Sequence, residues 1–231
     1  MADFISVPFY DLFHERGHVP EIRATLPPLL TGVTRSILEI GAGTGLITTS
    51  LAEWTPAEIF ALEPSPGMRA VLLSRLSSRP ELLSRVTVLP GDALSVQLDE
   101  PVEAVVIINV LYSLEPDYRR QLWPVLAESL VPGGRLIFTW RDSGPPTPGP
   151  LTELDSCQVG RHTYTVLSEI LDSGEEQWHV RYLYRITQGD QLLSEEEITG
   201  TSYRPLHREL TTAGFTHLQT HHPLQLWHRP Q

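Results

Sequence analysis

Residues 37–48 read ILEIGAGTGLIT, an apolar run that ends at three glycines, Gly41, Gly43 and Gly45, spaced two apart. The apolar residues Ile37–Ile40 suit a strand buried on both faces, and the residues from about Thr44 onward suit a helix. A strand that feeds a glycine-rich turn and then a helix aims free N–H groups and the positive end of a helix dipole at one place. Such a place attracts an anion, either a phosphate or a carboxylate. A pyrophosphate turn reads G-x-G-x-x-G, its third glycine letting helix and strand pack closely. Here Gly41 and Gly43 fit the first two positions, but Leu46 stands at the third. Glu39 lies just before the glycines, where a carboxylate repels a phosphate and attracts an ammonium group. The turn therefore suits an adenosine ligand carrying an amino acid better than a dinucleotide.

The same rhythm repeats along the chain. Apolar runs at Ile59–Leu62, Val86–Leu89, Ala104–Ile108 and Leu136–Trp140 alternate with helical patterns near Leu46–Glu53, Met68–Leu76 and Tyr118–Leu130. This predicts a parallel sheet covered by helices on both faces. Upstream, residues 4–30 keep a helical spacing that Pro20, Pro27 and Pro28 break into short helices. Downstream, SGPPTPGP (143–150) reads as a solvated loop. QWHVRYLYRI (177–186) then alternates, with Trp178, Val180, Tyr182, Tyr184 and Ile186 on one face. A second alternating run follows QGD, which predicts an antiparallel hairpin grafted onto the parallel sheet. A helix around Leu206–Ala213 should end at Gly214, and FTHLQTHHPLQLW supplies two last short strands.

Composition narrows the function. The 231 residues are enough for one well-cored α/β domain. The net charge is −11 with no basic run, which argues against nucleic acid and for a small-molecule partner. All 17 basic residues are arginine, so neither a lysine Schiff base nor a Walker lysine exists. The single cysteine, Cys157, forms no internal disulfide and agrees with a reducing cytosol. No stretch approaches the ~18 apolar residues of a membrane span, and the N-terminus lacks the marks of a signal peptide. A cytoplasmic protein without a membrane partner is expected.

At these motifs the chain resembles the class I S-adenosylmethionine-dependent methyltransferases, most specifically across residues 37–140. LEIGAGTG is similar to the family's first motif, and ALEPSPGM to the second, where an acid ends strand two. LPGDAL (89–94) resembles the third motif, INVLYSL (108–114) the fourth, and LVPGGRLIFTW the turn and fifth strand. The resemblance implies an α/β, Rossmann-like sheet of seven strands in the order 3-2-1-4-5-7-6, with strand seven antiparallel. It implies one methyltransferase domain over 1–231, with a helical lid (1–30), a cofactor-binding half (31–142), a substrate-cap insertion (151–204) and a final helix and strands (205–231). The cofactor would be S-adenosyl-L-methionine and its product S-adenosyl-L-homocysteine. Glu39, Gly41, Ala42 and Gly43 would form the turn, and Glu63 and Pro64 would meet the ribose. Met68 would lie against the adenine face, Asp92 and Ala93 at the adenine edge, and Asn109 near the methionine end. Tyr10 in FYDLF would close the lid.

Catalytic residues are less legible, because methyl transfer from a sulfonium relies on positioning and dehydration. Tyr10, Tyr112, His14 and His162 are candidates for taking a proton, and Tyr112, Trp140 and Arg141 for meeting the substrate. His217, His221 and His222 suggest a metal, with His217 and His221 on one strand face, but no carboxylate or cysteine completes a ligand set, so no metal is expected. The hairpin after strand five resembles that of N-methyltransferases of glycine and amino sugars, where added strands cover the substrate. Trp178, Tyr182 and Tyr184 would then be either an aromatic wall or a buried sheet face. The expected reaction is in-line methyl transfer to a small molecule such as a secondary metabolite. The alternatives are a cofactor-binding protein that transfers no methyl, acting as a cyclase or binding partner, and a nicotinamide oxidoreductase.

Overall fold

The computed structural model describes residues 6–140 and 144–229. These divide into two compact units, one of residues 18–140 with 205–229 and one of residues 6–17 with 144–204.

The larger unit is built on a seven-stranded sheet. Its strands are β1 (Ser36–Ile40), β2 (Glu58–Glu63), β3 (Val86–Pro90), β4 (Val102–Ile107), β5 (Leu130–Thr139), β10 (Thr216–His221) and β11 (Leu224–His228). They lie in the order β10-β11-β5-β4-β1-β2-β3, with β11 antiparallel to β5 and the five strands from β5 to β3 parallel. This is the expected 3-2-1-4-5-7-6 sheet of a Rossmann-like α/β fold. Ile37, Leu38, Val105, Val106, Ile137 and Phe138 are buried, as apolar strands sandwiched between helices must be. The helices are α2 (Val19–Leu29), α3 (Leu46–Trp54), α4 (Pro66–Ser77), α5 (Pro116–Ser129) and α6 (His207–Thr212), with a 3₁₀ turn at Leu111–Ser113. Pro27 and Pro28 lie inside the last turn of α2 rather than ending it. The helix after the glycines begins at Leu46, two residues later than Thr44, because Gly45 caps it in a left-handed conformation.

The smaller unit holds α1 (Val7–His14) and an antiparallel meander of β6 (Thr152–Val159), β7 (His162–Ser173), β8 (Gln177–Gln188) and β9 (Gln191–Tyr203). The expected hairpin is β8–β9, but it does not join the parallel sheet: with β6 and β7 it makes a four-stranded sheet of its own. The cause is visible in β7, which pairs with β8 along its whole length and takes the place the parallel sheet would have filled. Phe9 and Phe13 of α1 pack with Val166 and Tyr184, and the Phe9 ring lies 5.1 Å from that of Tyr184. Tyr184 thus belongs to a buried sheet face. Glu195, Glu196 and Glu197 of β9 are exposed yet bonded to Arg185, Ser6 and Arg181. Among the described residues no helix is long and apolar enough to cross a membrane.

Candidate active site

The turn after β1 takes its shape from its glycines. Gly41, Gly43 and Gly45 all have positive φ (73°, 57° and 84°), a region that costs an L-residue about 1–2 kcal/mol. A Cβ on Gly41 would stand 2.4 Å from Val110 Cγ2. The N–H groups of Gly41 and Ala42 both donate to Leu62 O, at 2.9 and 3.0 Å, which ties the turn to the end of β2. Glu63 completes the tie: its Oε2 accepts from the Gly43 N–H and its Oε1 from the Ser65 N–H, each at 2.8 Å. Both Glu63 and the Ala42–Gly43 segment are buried. Ser65 caps α4 and accepts from the N–H of Met68, whose side chain is buried in the first turn, while Pro64 stays exposed.

Glu39 is 2 % exposed and accepts a 2.6 Å hydrogen bond from Thr48 Oγ1. Burial pushes its carboxyl up to about 8; the Thr48 bond opposes this and the nearby Glu63 charge adds to it. Because the folded value lies above the usual carboxylate range, protonated Glu39 stabilises the fold fully in acid and that contribution is lost as the pH rises through about 8. Melting temperatures should fall over this range in the wild type and fall less in Glu39→Gln. Parallel curves would mean that Glu39 is not held neutral.

Asp92 follows β3. Its Oδ1 accepts twice, from the Leu94 N–H at 2.7 Å and from the Tyr118 hydroxyl at 2.9 Å. Ala93 beside it is buried. Asn109 lies two residues past β4 and is the only non-glycine residue with positive φ (58°) among the described residues. Its N–H donates to the buried Thr139 Oγ1 at 2.6 Å, which joins the ends of β4 and β5. Tyr112 sits half-buried on the 3₁₀ turn, and that turn is held by Arg119, whose Nη1 donates to Leu114 O at 2.6 Å. Arg119 is itself buried and pairs through Nε and Nη2 with both oxygens of Glu209, each at 2.9 Å.

Trp140 follows β5 and stacks on His207 with ring centroids 4.0 Å apart. Arg141 lies outside the described residues. Tyr10, His14 and His162 belong to the smaller unit; there Tyr10 and His14 meet on α1 with rings 4.2 Å apart, and His162 opens β7 at its turn with β6. The tail histidines do not share a face. A bulge between His217 and Gln219 sets His217 opposite Trp227 and His221 opposite Leu224, three residues apart and so on opposite faces. His217 packs edge-on against Trp227, and His222 lies 3.6 Å from a Glu21 oxygen.

The structure thus gathers the ends of β1, β2, β3 and β4 around the glycine turn. Four residues that sequence alone passed over support this edge: Tyr118, Thr139, Arg119 and Glu209. Their bonds to Asp92, Asn109 and each other span 26, 30 and 90 residues, so no local pattern announces the pairs, although Thr139 lies within LVPGGRLIFTW.

Residues 37–134 match the family model described as "Methyltransferase domain". An uncharacterised methyltransferase of Mycobacterium tuberculosis is 33% identical over 132 residues, covering 55% of this chain and 48% of that protein. The chain thus spans about half the length of that curated relative. Among solved structures, DesVI of Streptomyces venezuelae superposes with a TM-score of 0.77 at 19% identity, covering 97% of this chain and 98% of that one. The sugar N-methyltransferase KedS8 of Streptoalloteichus sp. gives 0.72 at 19%, covering 96% and 93%. The sheet order, the matched domain and these likenesses agree: residues 37–134 carry a methyltransferase domain, and the larger unit has the Rossmann-like sheet expected of the class I S-adenosylmethionine-dependent methyltransferases.

Proposed function

We propose that the protein transfers a methyl group from S-adenosylmethionine to a small-molecule acceptor, with amino sugars the first class to try. One observation carries the reading: Glu39, Glu63 and Asp92 lie at the C-terminal ends of three adjacent strands, beside a turn of positive-φ glycines. Carboxylates accept hydrogen bonds and donate none. The cofactor's ribose hydroxyls, adenine amino group and ammonium are all donors, so this set suits them. A dinucleotide would bring its phosphates against the same acids.

Glu63, held by the Gly43 and Ser65 N–H groups, would accept from the ribose hydroxyls, with Pro64 beside it. Asp92 would accept from the adenine amino group, the Ala93 N–H would donate to the ring, and Met68 would lie on its face. Gly41, Ala42, Gly43 and Asn109 would bound the methionine end, where the arriving ammonium would draw Glu39, held neutral by burial in the free protein, into its ionised form. When bound, the cofactor supplies an electrophilic methyl on a sulfonium. The protein's work is to hold the acceptor in line and to exclude water. Tyr112 and Trp140 would meet the acceptor, and Tyr112 could take a proton where the acceptor must lose one. The N-methyl transfer to sugars named for KedS8 and the added sheet between β5 and α6 support the amino-sugar choice.

Calorimetric titration with S-adenosylhomocysteine, with NAD as control, tests the cofactor reading. One-to-one binding of the first and none of the second is expected. Glu63→Ala and Asp92→Ala should each weaken it by about 1–3 kcal/mol, as losing a hydrogen bond to a charged group does. Wild-type affinity in both variants would refute the placement of the adenosine. Product mass then tests transfer: amino sugars should gain about one methylene, whereas cofactor binding with no gain across amines, sugars and phenols would remove methyl transfer.

A further inference from the structure

We propose that Tyr118 is a positioning residue that makes the site specific for a 6-amino purine, by holding the Asp92 carboxylate in a single orientation. This rests on the adenine placement above and adds a residue to it. Tyr118 lies in the first turn of α5, half-buried, and reaches Asp92 from 26 residues away. The Leu94 N–H alone makes a local turn around Asp92, of the kind an aspartate makes with the residue two on. One such bond leaves the carboxylate free to swing about it. The Tyr118 hydroxyl, arriving from another element on the same Oδ1, removes that freedom. Ser95 closes the turn from below, its N–H and hydroxyl both donating to the Asp92 carbonyl, at 3.1 and 2.9 Å.

The consequence lies in the other oxygen. Oδ1 is occupied twice, whereas Oδ2 has no partner among the described residues, so Oδ2 is left for a ligand donor. A 6-amino purine offers an N–H there. A 6-oxo purine offers a carbonyl oxygen, which a carboxylate repels, and a fixed carboxylate cannot turn away to relieve the clash. Burial first, and then the bond to Asp92 and its charge, raise the Tyr118 pKa, so the phenol keeps the proton that it donates. The ring packs against the main hydrophobic core, which holds the side chain behind its hydroxyl.

The test uses the full chain and two ligands that differ only at position 6, S-adenosylhomocysteine and S-inosylhomocysteine. The wild type should prefer the amino compound by about tenfold or more. Tyr118→Phe keeps the ring and removes the hydroxyl. It should weaken S-adenosylhomocysteine roughly 3–10-fold and shrink the preference between the two ligands. A preference equal to the wild type's, with or without a lower melting temperature, would return Tyr118 to simple packing and overturn the proposal. Tighter binding in Tyr118→Phe would also overturn it, since the phenol would then stand where the amino group goes. Asp92→Ala separates the two levels. If it abolishes the preference while Tyr118→Phe does not, only the role of Tyr118 falls; if it leaves binding unchanged, the adenine placement falls first.

Discussion

Glu209→Ala should cost about 3–5 kcal/mol of stability, the usual result of removing one partner from a buried ion pair. The whole stability of such a domain is about 5–15 kcal/mol, so this change alone can bring it near unfolding. Arg119 is 0 % exposed, and Glu209 takes two of its N–H groups as well as the Trp123 indole N–H at 3.2 Å. Truncating Glu209 leaves a guanidinium in the core without its counter-charge and an indole donor without its acceptor. Urea denaturation followed by circular dichroism gives the loss. Replacing both partners, as Arg119→Met with Glu209→Leu, should recover much of it, because packed apolar groups carry no desolvation cost. A loss below about 1 kcal/mol, the range of exposed pairs, would show that water reaches the site.

The second large effect is expected at Gly45→Ala. A Cβ there would stand 2.2 Å from Leu72 Cδ1, and Leu72 is fully buried, so it has no space into which to turn. The left-handed conformation costs about 1–2 kcal/mol, and forcing atoms into a packed core about 1–3 more. Gly214 supplies the control. Its φ of 86° is nearly the same as the 84° of Gly45, yet a Cβ at Gly214 meets nothing within 4 Å. Gly214→Ala should therefore show only the conformational part. Equal losses at the two positions would remove the steric half of the argument.

The contrast between these positions and the motifs explains what could be read from sequence. The parallel sheet was legible because burial on both faces writes continuous apolar runs such as Ile37–Ile40. The glycine turn was legible because only glycine tolerates its dihedral angles. The strands β6 and β7 were not: TELDSCQV is polar and carries no period-two signal, since β6 is an edge strand of a largely exposed sheet. The start of β5 was hidden too, because Leu130 reads as the end of α5 while its backbone already pairs with Val102. In the candidate site, Glu39 was picked out by its place before the glycines, and Glu63 and Asp92 by motifs that resemble the family's, each near a strand end. Tyr118 and Arg119 were not, because a tyrosine and an arginine on a helix usually face solvent, and only the folded chain brings Asp92 and Glu209 to them. The expected common face of His217 and His221 failed on one inserted residue, which no pattern in THLQTH announces.

The Arg119–Glu209 pair also bears on how the chain is made. Its members are 90 residues apart, with the entire β6–β9 meander synthesised between them. At about 5–20 residues per second, Arg119 waits roughly 5–20 s on the ribosome for its carboxylate. During that interval α5 carries a charge that it cannot bury, and β5 has no β11 along its edge. The larger unit thus reaches its packed form only once α6 and β11 have been made. The intervening sheet can be finished first.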